Sequence, residues 1–243
     1  MKIYGKTDVG KLRETNQDTF AYGEPFENGC FAIVCDGMGG QNGGNIASEI
    51  AREQIANTLL RQLKIGLDEK SVRNILLSAF NAANQTVYKK ACSDSKLSGM
   101  GTTAVASVIM QDRLFVAHVG DSRAYLLASG IFTRLTQDHS IVEMLFNKGK
   151  ISKDELKSHP RRNEITRAIG ALPEISVDFT TESFRKGDKL LLCSDGLTGV
   201  CDDEQISQIL EDNDSARASE RLIALANSYG GTDNITVVVI END

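Results

Sequence analysis

The sequence predicts an α+β sandwich, and three observations carry the prediction. Apolar runs of strand length, rich in Val, Ile and Phe, recur along the chain. Turn-type residues stand directly between neighbouring runs, and segments of helical period gather between groups of runs. Hairpins with clustered helices favour antiparallel sheets over a doubly wound parallel one.

The first run is GCFAIVC (29–35). In 45–64, Ile46, Ile50, Ile55, Leu59 and Leu63 recur beside Ala47 and Ala51 as one apolar helix face. A second helix is predicted over 71–91 from Val72, Ile75, Leu76, Ala79, Phe80, Ala83 and Val87, with Ser71 in the N-cap position. TTAVASVIM (102–110) and RLFVAHV (113–119) flank the turn pair Gln111-Asp112, and RAYLLAS (123–129) runs into Ser129-Gly130, so adjacent runs are expected to pair as hairpins. A short helix over 140–148 has Asp138 and Ser140 as cap candidates. KLLLCS (189–194), helices over 203–211 and 215–229, the latter closed by Gly230-Gly231, and ITVVVI (235–240) complete the series.

The 243 residues, 41% apolar and 25% charged with 3 prolines, suit one domain with a sizeable core. No apolar run approaches the roughly 20 residues of a membrane helix, and MKIYGKTDVGKLRE lacks a secretory signal's hydrophobic stretch, so a cytoplasmic protein without a membrane partner is expected. A net charge of −6 argues against nucleic acid as a partner. The five cysteines form no C-x-x-C pair and are assigned to structure, and Cys193 has no neighbouring arginine of the kind a thiolate phosphatase loop requires.

The informative pattern is the placement of aspartates. FAIVC ends in Asp36, FVAHVG in Asp121 and KLLLCS in Asp195, while Asp233 stands two residues before ITVVVI. Taken singly, Asp-Gly and Asp-Asn are common turn dipeptides. Taken together, carboxylates at the ends of buried strands can share one rim, where they repel unless a divalent cation joins them. Oxygen ligands without a Cys/His cluster select Mg²⁺ or Mn²⁺.

These aspartates lie within Arg13-x-x-Asn16-Gln17-Asp18, Asp36-Gly37-Met38-Gly39-Gly40, Gly99-Met100-Gly101-Thr102-Thr103, His118-Val119-Gly120-Asp121-Ser122-Arg123, Thr136-Gln137-Asp138-His139-Ser140, Ser194-Asp195-Gly196 and Asp233-Asn234-Ile235-Thr236. In this order they resemble the metal-dependent protein serine/threonine phosphatases (PPM, type 2C), in particular the compact bacterial catalytic domains. The resemblance implies a four-layer α-β-β-α sandwich, two antiparallel sheets flanked by helices on both outer faces, formed by 1–243 as a single catalytic domain. It implies two core ions, Mn²⁺ or Mg²⁺. Asp36 resembles the carboxylate bridging them and the Gly37 carbonyl a further ligand, while Asp195 and Asp233 resemble ligands of one ion. Asp18 resembles the carboxylate that orients the activated water, and Arg13 the phosphate-binding arginine. Bacterial members often hold a third, weaker ion between the equivalents of Asp121 and Asp195.

The implied chemistry is hydrolysis of phosphoserine and phosphothreonine by water activated between two ions about 3.5–4 Å apart, with no covalent phosphoenzyme. Phosphorylated Ser/Thr proteins are the expected substrates, a Ser/Thr kinase the opposing partner, and a monomer the expected state. The segment at about 141–170, with Lys148, Lys150, Lys153, Arg161, Arg162 and Arg167, falls where bacterial members carry a flap; its charges read either as a solvated face or as an attractant for phosphopeptides. Gly39-Gly40 and Gly43-Gly44 read equally as a flexible loop or as a close backbone approach. Gly99 to Thr103 is assigned to packing, and His118 to the core. Where many relatives carry a candidate general-acid histidine, this chain has Met38 and Gln41, neither of which donates a proton near neutral pH. The rival to an active enzyme is a phosphoprotein-binding pseudophosphatase, which would have no need to retain every ligand-type aspartate.

Overall fold

The structure, a computed structural model, describes the backbone of residues 1–243 and all side chains except those of 40–42, so Gln41 lies outside the described side chains. In chain order the elements are β1 (Lys2–Asp8), β2 (Asp18–Phe26), β3 (Gly29–Met38), α1 (Gly40–Gln62), α2 (Glu69–Ser93), β4 (Gly101–Thr102), β5 (Ala104–Met110), β6 (Arg113–Val119), β7 (Arg123–Ala128) and β8 (Ile131–Arg134). They continue with α3 (Ile141–Asn147), α4 (Glu155–Ser158), β9 (Asp178–Ser183), β10 (Lys189–Cys193), α5 (Asp195–Thr198), α6 (Asp203–Asp212), α7 (Ser215–Ser228) and β11 (Ile235–Glu241). One sheet has the order β1-β11-β10-β7-β8 and the other β2-β3-β5-β6-β9, with β4 on β3, and every pairing is antiparallel.

The central strands explain the continuous apolar runs, because both of their faces are covered. Along β3, Cys30, Ala32 and Val34 point between the sheets toward Leu190, Leu192 and Val238. The alternate Phe31, Ile33 and Cys35 face Ala47, Ala51, Leu76 and Phe80 of α1 and α2. On the other sheet Leu191, Cys193, Val237 and Val239 pack under Ile206, Leu222 and Ala226 of α6 and α7. Helix, sheet, sheet and helix thus form four layers around three apolar seams, as the resemblance implied.

Local chemistry follows the sequence in most places. The β5–β6 hairpin turns at Gln111 (φ 54°), and β7–β8 turns at Ser129 and Gly130 (φ 51° and 76°), the left-handed pair of a type I′ turn. Ser140 caps α3 by accepting from the Glu143 amide, and α7 runs out into Gly230 and Gly231 at positive φ. Two local readings change. Asp68, not Ser71, caps α2, since the Asp68 carboxylate accepts from the Ser71 amide and the helix starts earlier. Asp138 caps nothing; its carboxylate takes hydrogen bonds from Arg123 (2.7 Å) and Arg134 (2.5 Å). Adjacent β6 and β7 also do not pair, because the chain passes from one sheet to the other across Gly120–Ser122.

Candidate active site

The two sheets end at a common rim, and the elements place the aspartates there. Asp18 opens β2 directly opposite Asp36 near the end of β3. Asp121 follows β6, and Asp195 begins α5 just beyond β10. Asp233 precedes β11, which is held beside β10 by Ser194 N–H donating to the Thr236 carbonyl (3.0 Å). A cleft of about 790 Å³ opens here, lined by Arg13, Asp36, Gly37, Asp121, Asp195 and Asp233, with Met38, Asn163 and Ile165 among its walls. Asp18 lies under its floor, 5% exposed. Every site residue expected from the sequence is therefore at this cleft or directly beneath it.

Close backbone packing makes the convergence possible. A Cβ on Gly196 would come 1.9 Å from the Asn234 carbonyl oxygen, so only glycine lets the strand end carrying Asp195 reach Asp233-Asn234. A Cβ on Gly37 would come 2.1 Å from the Gly44 carbonyl oxygen, which settles the Gly43-Gly44 motif as a close approach of α1 to the β3 end. Asn234 stitches the Arg13 loop to the same rim: its amide donates to the Val9 and Thr15 carbonyls (2.9 and 3.0 Å), and its oxygen accepts from Gln17 N–H (2.8 Å).

The electrostatics are those of an unneutralised acidic cluster. Burial, then the charge of Asp18, drives the Asp36 carboxyl well above its usual range, with Asp195, Asp121 and Asp233 adding to it. Burial followed by Asp195 raises Asp121, and burial followed by Asp233 raises Asp195. Asp18 is pushed up to about 7 by burial, although hydrogen bonds from hydroxyls oppose the shift. Ser194 Oγ donates to Asp18 Oδ2 (2.7 Å), while Asp18 Oδ1 is buried with no hydrogen-bond partner. Among the described residues the one cation lining the cleft is Arg13, whose Nη2 donates to Asp233 Oδ2 at 2.8 Å. Five aspartates, one of them with an orphaned oxygen, and Glu14 on the cleft wall against one guanidinium make a donor set that fits hard divalent ions.

The model of the family described as protein phosphatase 2C matches residues 4–144. The chain is also 38% identical over 239 residues to the serine/threonine phosphatase stp of Listeria monocytogenes, covering 98% of this chain and 94% of that protein. The chain belongs to the protein phosphatase 2C family. It is a protein phosphatase by that membership, and its fold agrees. The solved serine/threonine phosphatase of S. agalactiae superposes with a TM-score of 0.92 at 34% identity, covering 100% of this chain and 99% of that one. A solved catalytic domain of the serine threonine protein phosphatase PstP in complex with 2 manganese ions superposes at 0.85 with 33% identity, covering 98% of this chain and 96% of that one.

Within this protein phosphatase 2C site, several contributors carried no obvious sequence signal. Thr102 and Thr103, assigned above to packing, hydrogen-bond the main chain of Asp36. Ser194 matters through its hydroxyl on Asp18, and Asn16 holds the Asp18 amide (3.0 Å). A small hydroxyl residue immediately flanking a strand-end aspartate is a pattern that marks Ser194, whereas Thr102, Thr103 and Asn16 are revealed only by the fold. One further cluster, His118, His139 and Asp178, has potential ligand atoms within 4.8 Å of one another. Its imidazoles stack at 4.7 Å and 17°, so a single ion cannot lie in both ring planes. Arg167 already donates to Asp178 (2.8 Å), and His139 Nδ1 accepts from the Gly120 amide (3.1 Å). The group is a hydrogen-bonded brace beside the Asp121 loop, and His118 is a core histidine as expected.

Proposed function

We propose that this chain is a metal-dependent serine/threonine protein phosphatase that hydrolyses phosphoserine and phosphothreonine through water activated between two divalent ions. The observation that carries the reading is the convergence of Asp18, Asp36, Asp121, Asp195 and Asp233 on one cleft with Asp18 Oδ1 unpartnered. Asp36, the Gly37 carbonyl, Asp195 and Asp233 are the residues to hold the two core ions, with Asp121 and Asp195 available to a third. Bound there, Mn²⁺ or Mg²⁺ supplies Lewis acidity that lowers the pKa of water and screens the phosphoryl oxygens.

The remaining steps belong to side chains of this chain. Arg13 presents a planar fork suited to two phosphate oxygens, and its pairing with Asp233 holds it at the cleft. Asp18, fixed by Ser194, orients the attacking water. Met38 lines the cleft without a titratable proton, so it is not the group that protonates the leaving alkoxide. The stretch 141–170 serves as a substrate-side flap of one domain spanning 1–243; Asn163 and Ile165 already form part of the cleft wall. Phosphorylated proteins are the substrates, a cognate Ser/Thr kinase the opposing partner, the cytoplasm the compartment and a monomer the working state. No described helix is long and apolar enough to cross a membrane.

The test is turnover of a phosphothreonine peptide and of an aryl phosphate by chelator-stripped protein. Hydrolysis restored by Mn²⁺ and abolished by Asp36→Asn and Asp195→Asn supports the enzyme. Peptide binding without hydrolysis at any Mn²⁺ concentration supports a pseudophosphatase instead.

A further inference from the structure

The antiparallel ladder along β3 is interrupted at its most important residue. Gly37 pairs with Thr102 of β4, and Val34 pairs with Val105 of β5, but regular strand pairing lapses between them, at Asp36 and Thr103. The Thr103 amide still donates to the Asp36 carbonyl (2.8 Å). The Asp36 amide, however, donates to the Thr103 side chain, Oγ1 at 3.0 Å. Thr102 Oγ1 completes the grip by donating to the Asp36 carbonyl oxygen (2.8 Å), a proton it shares with the Thr103 carbonyl (2.8 Å).

Thr103 Oγ1 accepts the Asp36 amide proton and makes a second hydrogen bond with Ser122 Oγ, 2.7 Å away, in which either hydroxyl can donate. Ser122 follows Asp121 in the chain, and both hydroxyl residues are closed off from water, at 2% and 1% exposure. The relay is tight on its other side as well: a Cβ on Gly120 would come 2.6 Å from Thr103 Cβ, so the Asp121 loop rests directly on this threonine. A buried hydrogen bond with every partner assigned is stiff, since any rotation leaves a polar group unpaired.

We infer that Thr103 is a positioning residue whose hydroxyl locks the main chain of Asp36 to the loop carrying Asp121 and so sets the spacing between these two acidic groups. The inference rests on the ion-binding reading of the cleft and extends it to a residue on the cleft wall whose hydroxyl is engaged by Asp36 N–H and Ser122 Oγ. Thr103→Val keeps the shape and removes the relay, Thr103→Ser keeps the relay, and Ser122→Ala cuts it at the far end while leaving the Asp36 amide bonded.

The test is calorimetric titration of chelator-stripped full-length protein with MnCl₂, paired with kcat and KM for an aryl phosphate. Thr103→Val is expected to weaken Mn²⁺ binding about 10- to 100-fold and to raise the half-activating Mn²⁺ concentration in parallel, the scale on which partners of metal ligands act. The KM for the phosphate ester at saturating Mn²⁺ should change little. Ser122→Ala should shift Mn²⁺ binding in the same direction by less, and Thr103→Ser should bind like the parent; these two decide the matter if the valine variant fails to fold. Unchanged Mn²⁺ affinity in Thr103→Val, or in Ser122→Ala should the valine variant not fold, overturns the inference, as does a serine variant that binds as poorly as valine. If the parent protein itself binds no Mn²⁺, the ion-binding reading fails first.

Discussion

Asp18 and Asp36 face each other directly across the β2–β3 ladder, two carboxyls in cross-strand register with no cation between them among the described residues. Like charges so placed destabilise a sheet. The Ser194 hydroxyl on Asp18 offsets only part of this, since burial still dominates there, and the ladder continues behind the pair as Thr19↔Cys35 and Phe20↔Val34. The arrangement makes physical sense for a site whose charge is balanced by ions in use.

A pH dependence follows for the chelator-treated protein. Asp18 is raised from 3.8 to about 7, and Asp36, Asp121 and Asp195 are raised with it. A folded-state pKa above the unfolded value means that the folded state binds more protons between the two, so this contribution is full below pH 3.8 and lost as pH rises through about 7. Melting temperature in EDTA should therefore fall between pH 5 and 8, and saturating Mn²⁺ should flatten or reverse that fall. A melting curve in EDTA that rises with pH over this interval contradicts the assignment.

Neutralising one member of the pair separates stability from activity. Asp36→Asn should raise the melting temperature in EDTA at pH 8, because it removes a buried like charge, while lowering kcat by more than about a hundredfold, the scale of losing a group that acts on developing charge. Differential scanning calorimetry and aryl phosphate turnover on the same preparation check both halves.

Arg13→Ala should lower kcat/KM about a hundredfold through loss of the phosphate clamp. Because Arg13 also pairs with Asp233, its removal should leave Mn²⁺ binding intact or tighter. Steady-state kinetics at saturating Mn²⁺ together with phosphate inhibition measure the first effect; weakened Mn²⁺ binding would count against the role given to this arginine.

Gly196→Ala should behave unlike an ordinary glycine-to-alanine change. Its Cβ would come 1.9 Å from the Asn234 carbonyl oxygen, which forces the α5 start away from the β11 start. Overpacking of this kind costs about 1–3 kcal/mol, and the displacement separates Asp195 from Asp233, so Mn²⁺ affinity should drop with stability. Denaturant unfolding and Mn²⁺ titration read the two effects.

Asp138→Asn tests the other charge cluster. Asp138 accepts from Arg123 and Arg134, and all three side chains are mostly buried, at 9%, 22% and 25% exposure. Burial tends to lower the Arg123 pKa, but the Asp138 charge outweighs it and holds the guanidinium charged. Loss of that charge should cost about 3–5 kcal/mol, measured by urea unfolding, because it strands buried guanidinium charge.

The sequence made the interior legible and the borders less so. All six apolar runs became central parts of the sheets, because a strand covered on both faces must be apolar throughout. The strands not anticipated, β1, β2, β8 and β9, are the outermost strands of the two sheets. Tyr4, Tyr22 and Ile131 on them are exposed, and their mixed composition gives neither a continuous run nor a clean alternation. Missing β2 concealed the opposition of Asp18 to Asp36, which only strand register reveals. The strand-end aspartates were visible, whereas Thr103 was not, because its contribution depends on a ladder lapse opposite Asp36 that leaves no compositional trace.

The most direct test of the central claim is a crystal structure grown with ample manganese, with anomalous scattering used to locate the ions. The account predicts two strong peaks in the cleft, bounded by Asp36, the Gly37 carbonyl, Asp195 and Asp233, and a weaker one toward Asp121. Manganese absent from that cleft, or bound only at surface carboxylates, would contradict it.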